Sequence, residues 1–123
     1  MWIPILILAA VVAAVLIMKK AGQISAKDAA AHLKNGAPVI DVRSPGEFNS
    51  GHLPDALNFP LDEVETAVPR RFKDKSQVLL LHCLSGMRSG MARRKLKSLG
   101  YANVFNLGSL ARAQKVADDA KNN

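Results

Sequence analysis

The sequence predicts an α/β domain on an open, mostly parallel sheet with helices on both faces, preceded by one N-terminal transmembrane helix. Three observations support this. Four short apolar runs alternate with helical or turn-rich stretches, the order a parallel sheet requires. One of them, Val78-Leu79-Leu80-Leu81, is continuously apolar, as a strand buried on both faces must be. The first eighteen residues, Met1 to Met18, carry no charge.

Eighteen helical residues span ~27 Å, close to the ~30 Å hydrocarbon core of a bilayer. Trp2 suits one interface, and Lys19-Lys20 can snorkel to the other. Pro4 falls in the first turn, where a missing N–H is harmless. A cleaved signal peptide would carry its positive charge before the apolar run rather than after it. Residues 1–20 are therefore read as an anchor and 21–123 as the folded domain. The positive-inside rule puts the domain on the cytoplasmic face of the inner membrane, held by a single pass.

The remaining residues are enough for one hydrophobic core. All 17 Lys and Arg and all 10 Asp and Glu lie after Met18, so the whole net charge of +7 follows the apolar run. Ile24-Ser25 opens a helix with Ser25 as N-cap and Asp28 three residues on; Gly36 ends it. Strands are expected at Val39–Val42, Ala56–Phe59, Val78–Leu81 and Val104–Leu107. Helices are expected at Leu61–Val68, stopped by Pro69, at Arg88–Ser98, stopped by Gly100, and at Ser109–Lys121. On the Arg88–Ser98 helix, Ser89, Ala92, Leu96 and Leu99 form one stripe, and Arg93, Arg94 and Lys97 lie on the other side.

Cys83 is the only cysteine, which excludes an internal disulfide and favours a thiol kept free. It follows His82 at the end of the apolar strand and precedes a helix. That is the crevice where open α/β sheets place ligands. Its sulfur would meet unpaired backbone N–H groups and the positive end of a helix dipole, both of which favour thiolate. Gly86 lets the loop curl with its amides inward, and Arg88 adds a fixed positive charge. On position alone, a structural core cysteine stays open as the alternative.

Cys83-Leu84-Ser85-Gly86-Met87-Arg88 resembles the active-site loop of the rhodanese-like sulfurtransferase family, Cys-x-x-Gly-x-Arg. Upstream, Asp41-Val42-Arg43, Glu47-Phe48 and Gly51-His52-Leu53-Pro54-Asp55-Ala56-Leu57-Asn58 resemble that family's first signature. Leu99-Gly100-Tyr101 and Val104 through Gly108 resemble the approach to its closing helix. The resemblance covers roughly Ile24 to Ala117 and implies a rhodanese-like fold. It implies that Cys83 is the nucleophile, taking a sulfane sulfur as a persulfide and passing it to a thiophilic acceptor. The amides of Leu84, Ser85, Gly86, Met87 and Arg88 would hold the persulfide anion, and Arg88 would bind the donor or hold the loop. Phosphatase and arsenate-reductase domains of similar fold carry one residue more between cysteine and arginine; the shorter loop here fits one added sulfur rather than a phosphate.

Two departures bear on the substrate. Family members often place an aromatic residue after the last strand, where this chain has Ala113, and that changes a wall expected near the site. Leu84 and Met87 also make the loop apolar, so a dianion such as thiosulfate would meet one cation and amides. Organic or protein persulfides are therefore expected to be the better donors. The expected partners are the membrane, a small sulfur donor and a thiol or protein acceptor; a relay, redox-sensing or partner-binding module on the same fold is the alternative. Asp41 and Arg43 end a strand at the functional edge, and are read as a hydrogen-bonded strap, with Arg43 better placed to face the site. His52, His82 and Cys83 lack zinc-type spacing, so neither metal nor cofactor is expected, and nothing reads as a nucleic-acid motif. Strand alternation turns His82 away from the sulfur.

Overall fold

The computed structural model describes residues 2–20 and 22–122. Helix α1 spans Ile3–Lys20, α2 spans Ala26–Lys34 and strand β1 spans Val39–Asp41. A short helix α3 follows at Pro45–Asn49, then β2 at Leu57–Asn58 and a 3₁₀ turn at Leu61–Glu63 leading into α4, Val64–Arg71. The chain continues through β3 at Leu79–His82, α5 at Met87–Ser98, β4 at Val104–Gly108 and α6 at Leu110–Asn122. All four strands pair in parallel, in the order β2-β1-β3-β4.

Central β3 is buried along its whole length, which its unbroken apolar run anticipates. Its side chains feed two cores. On one face Leu79 and Leu81 join Val64, Val68, Phe72, Ala92, Leu96 and Tyr101 under α4 and α5. On the other, Leu80 joins Ala29, Leu53, Leu107, Ala113 and Val116 under α2 and α6. The stripe read on α5 is the buried one: Ser89, Ala92 and Leu96 face inward. Ser25 caps α2 by accepting from the Asp28 amide at 3.2 Å.

Two expectations are corrected, and one element is added to them. Pro69 does not stop its helix, which continues to Arg71. The proline removes only the bond to the carbonyl of Glu65, an exposed position where water can substitute, while buried Val64, Val68 and Phe72 hold the inner face. The second difference is α3, five residues that helical periodicity is too short to reveal. It is set by a capping box: the Ser44 hydroxyl accepts from the Glu47 amide at 3.2 Å, the Ser44 amide donates to Glu47 Oε1 at 3.1 Å, and Pro45 opens the first turn.

The third concerns the N-terminal segment. α1 is exposed and apolar around its circumference, with Trp2, Ile3, Ile5, Leu6, Leu8, Val12 and Ile17 all facing outward. However, among the described residues no helix is long and apolar enough to cross a membrane. The described α1 side chains run from Ile3 to Ile17, ~22 Å of helix against a hydrocarbon core of ~30 Å. The expected transmembrane helix is thus an exposed apolar helix here, and the side chains of Met18, Lys19 and Lys20, which set its expected boundary, lie outside the described ones.

Leu80 tests the two-sided burial of β3. Leu80→Ala is expected to lower unfolding free energy by about 2–5 kcal/mol in urea titrations. A loss below ~1 kcal/mol would show that the α2/α6 face of the sheet is loosely packed.

Candidate active site

The parallel order brings the C-terminal ends of β1 and β3 side by side, with Asp41 paired to His82. Beyond them lie the loops that carry Cys83, Arg43 and Glu47. Cys83 leaves β3 at a point where the β3–β4 register shifts, and its amide donates to the Gly108 carbonyl at 3.2 Å. The chain then turns through Gly86, whose φ of 99° is left-handed and suits glycine. That turn points the Gly86 N–H at Cys83 Sγ, 3.0 Å away, just before the start of α5. The Ser89 hydroxyl lies 3.5 Å from the same sulfur.

Cys83 is fully buried. Burial pushes the thiol up, but the Ser89 hydroxyl and the amides of Ser89, Gly86 and Ser85 outweigh it and hold the thiol below its ordinary value. The sulfur therefore sits in the core, and its loop donors shift it toward thiolate. Of the loop residues named from the sequence, Leu84 is 55% exposed at the tip, Ser85 is exposed, and Gly86 is buried beneath them. Ser85 also bridges to Ser109, and the Leu110 amide donates to the Leu84 carbonyl at 3.2 Å, so the loop is tied to the start of α6.

Two residues that sequence reading did not assign to the site hold the loop from below. Asn106 Nδ2 donates to the Gly86 carbonyl at 3.1 Å, while Asn106 Oδ1 accepts from the Gly108 amide at 2.9 Å and from the Ser89 hydroxyl at 2.7 Å. Ser89 has one hydroxyl hydrogen and three acceptors in reach: Asn106 Oδ1, the Gly86 carbonyl at 3.2 Å and Cys83 Sγ. The signal was an asparagine inside an apolar strand, since a buried amide needs partners.

The two arginines of the site are both engaged. Arg88 forms a bidentate pair with Glu47, at 2.6 and 2.9 Å, that ties the start of α5 to α3. Arg43 is buried and clamps Asp41 through Nε and Nη2 at 2.8–3.0 Å. Its Nη2 also donates to the Gly51 carbonyl at 2.7 Å, and Asn58 Nδ2 donates to the carbonyls of Asp41 and Arg43. Asp41 and Arg43 thus form a strap between loops, with Arg43 also lining the cavity beside the active loop. His82 is buried with Nδ1 3.2 Å from the Cys83 carbonyl and Nε2 3.7 Å from Asp41 Oδ2, and burial pushes its pKa down. Among the described residues, its Nε2 has no hydrogen-bond partner.

That cavity, of about 630 Å³, is lined by Arg43, Glu47, His52, Leu84, Leu110 and Gln114, among others. Ala113 is not on its wall. It is fully buried against α2 in the second core, because the inward face of α6 carries residues 113 and 116, leaving 110, 111 and 114 on the cavity side. The expectation that Ala113 reshapes a wall of the site is corrected accordingly. Among the described residues, no group of three or more His, Cys, Asp or Glu side chains is arranged to hold a metal ion.

The Arg88 guanidinium and the Ser44 amide hold Glu47 well below its ordinary 4.5, at about 2. A depressed carboxylate stabilises the fold fully above its unfolded value, and that contribution is lost as pH falls through the folded value. Glu47→Gln is expected to lower the melting temperature at pH 7 and to flatten the acid limb of stability between pH 4.5 and about 2. Equal acid slopes for parent and variant in thermal melts would show that the clamp carries none of that dependence.

Comparison with known proteins agrees with this geometry. A profile of the Rhodanese-like domain matches residues 25–111. The thiosulfate sulfurtransferase PspE of Escherichia coli is 37% identical over 71 residues, covering 58% of this chain and 68% of that protein. The thiosulfate:glutathione sulfurtransferase of Saccharomyces cerevisiae is 32% identical over 79 residues, covering 54% of this chain and 55% of that protein. The solved structure of the human single-domain sulfurtransferase TSTD1 superposes with a TM-score of 0.67 at 29% identity, covering 77% of this chain and 96% of that one. The chain belongs to the rhodanese-like domain family and is a sulfurtransferase.

Proposed function

We propose that Cys83 takes a sulfane sulfur from a donor, keeps it as a persulfide, and hands it to a thiol or protein acceptor. The observation that carries this is the buried sulfur aimed at the Gly86 N–H, 3.0 Å away, at the start of a twelve-residue helix. In the first half-reaction the thiolate attacks the donor's sulfane sulfur, the new Cys83 S–S bond forms, and the donor leaves with the electron pair of the broken bond. Amides and the helix end that stabilise a thiolate also stabilise the anion one bond further out.

The preferred donor is an organic or protein persulfide rather than thiosulfate. Arg88 is neutralised by Glu47 and Arg43 by Asp41, so a small dianion meets no unpaired cation among the described residues of the cavity. An anion lacking one charge-assisted hydrogen bond forfeits about 1.5–3 kcal/mol, which is roughly 10- to 100-fold in rate or affinity. Leu84, Leu110 and Ala111 give the same cavity an apolar side that suits the organic part of a persulfide. The names of the Escherichia coli and yeast relatives both carry thiosulfate, so the preference rests on the site's own charges and not on kinship.

We also propose that α1 attaches the chain to a lipid surface, with the domain on the cytoplasmic side of the inner membrane. The exposed apolar side chains from Trp2 to Ile17 support this reading.

Two measurements test these assignments. Full-length protein treated with glutathione persulfide is expected to gain one sulfur atom by mass, and Cys83→Ser to gain none. Turnover with thiosulfate is expected at least about tenfold below that with glutathione persulfide. Equal turnover would overturn the donor preference, and an unmodified Cys83 the persulfide itself. In flotation assays, vesicles should carry the parent chain upward and leave an Ile7→Lys, Leu8→Lys variant behind; co-flotation of both would remove α1 as the attachment.

A further inference from the structure

His52 is an exposed ring on the wall of the cavity beside the active loop, and the first half-reaction described above does not use it. Its orientation is fixed from two directions. The ring stacks on Phe48 with centroids 3.7 Å apart and planes within 8°. Its Nδ1 lies 2.8 Å from the Phe48 carbonyl oxygen. A carbonyl only accepts, so Nδ1 carries the hydrogen, and in the neutral ring Nε2 keeps its lone pair. The preceding peptide is pinned as well, because Arg43 holds the Gly51 carbonyl. The tautomer is therefore set by the fold, and Nε2 is the basic nitrogen of a ring that lines the cavity.

The second half-reaction needs such a nitrogen. A thiol acceptor reacts only as its thiolate. We propose that His52 is the general base that takes the proton from the acceptor thiol, a reading that rests on the Cys83 persulfide. The acceptor S–H bond breaks, its proton goes to His52 Nε2, and the sulfur attacks the outer sulfur of the Cys83 persulfide. A new S–S bond forms on the acceptor, the Cys83 S–S bond breaks, and its electron pair returns to Sγ beside the Gly86 amide. No external oxidant or reductant enters. The charged groups lining the same cavity are Arg43, just past β1, and Glu47 on α3, each already paired, with Asp41 and Arg88. The active loop contributes Leu84 and α6 contributes Leu110, Ala111 and Gln114, all uncharged.

The test uses the full chain loaded with persulfide and two acceptors, glutathione and sulfite. Sulfite at pH 8 attacks as an anion with no proton to lose, so it needs no base. His52→Gln retains a side-chain N–H that can donate to the Phe48 carbonyl, and a thermal melt checks that it folds. The expected result is a loss of about 10- to 100-fold in transfer to glutathione near pH 7, with the sulfite rate within about twofold of the parent. The glutathione deficit should shrink as pH approaches the thiol's own pKa, near 8.5 or slightly above. An equal fall with both acceptors, or no fall with glutathione, overturns the base assignment while leaving the persulfide intact. Failure of the parent chain to gain sulfur on Cys83 is seen earlier, by mass, and removes the persulfide reading instead.

Discussion

The placement of a sulfur anion inside an apolar core is the constraint on which the rest of the molecule turns. Cys83 belongs to the same packed cluster as Ile40, Val42, Leu81 and Ala92, an environment that by itself favours the neutral thiol. The balance is reversed by a few donors at short range: the Gly86 amide, the Ser89 hydroxyl and neighbouring loop amides. In a water-poor pocket such donors are worth more than at the surface, because less solvent screens them. The same burial that threatens the thiolate therefore makes its hydrogen bonds effective.

Those donors have to be kept pointing inward, and the scaffold does so from three sides. Asn106 grips the Gly86 carbonyl from β4, fixing the opposite face of the turn whose amides face the sulfur. Arg88 ties the start of α5 to the capped end of α3 through Glu47. Leu110 and Ser109 fasten the loop to the start of α6. Each anchor comes from a different element, so the loop conformation is a consequence of the sheet order β2-β1-β3-β4 rather than of local sequence alone.

This explains which parts were legible in the sequence. The strands and most helices were readable because burial on both faces leaves an unbroken apolar run at Leu79–Leu81, and caps and glycines punctuate the rest. The Cys83 loop was readable because its residues are contiguous. Asn106 and Ser89 were not, since what they do depends on partners 17 to 20 residues away, and their own neighbourhoods read as strand and helix stripe. Ala113 was placed on the wrong side of α6 because a resemblance in order does not give the rotational phase of a helix. Residues 110, 111 and 114 face the cavity, and that phase is set by packing against α2. Helix α3 was missed although Ser44-Pro45-Gly46-Glu47 is a capping box, because five residues carry no periodicity.

The paired arginines give the site a further property. With Arg43 balanced by Asp41 and Arg88 by Glu47, the four groups sum to no net charge, so an ionised Cys83 brings the one uncompensated charge to the centre of the loop among the described residues. Taking up a sulfur moves that charge outward by one S–S bond, about 2.05 Å, without creating or destroying it. A site that relied on an unpaired cation would hold the persulfide and the free thiolate unequally, since Coulomb attraction falls with distance. The pull of a single dipole falls faster still, so the outer sulfur has to be met by other amides of the curled loop. Both half-reactions can then run through one cradle with little reorganisation, which is the condition for a carrier that must release what it binds.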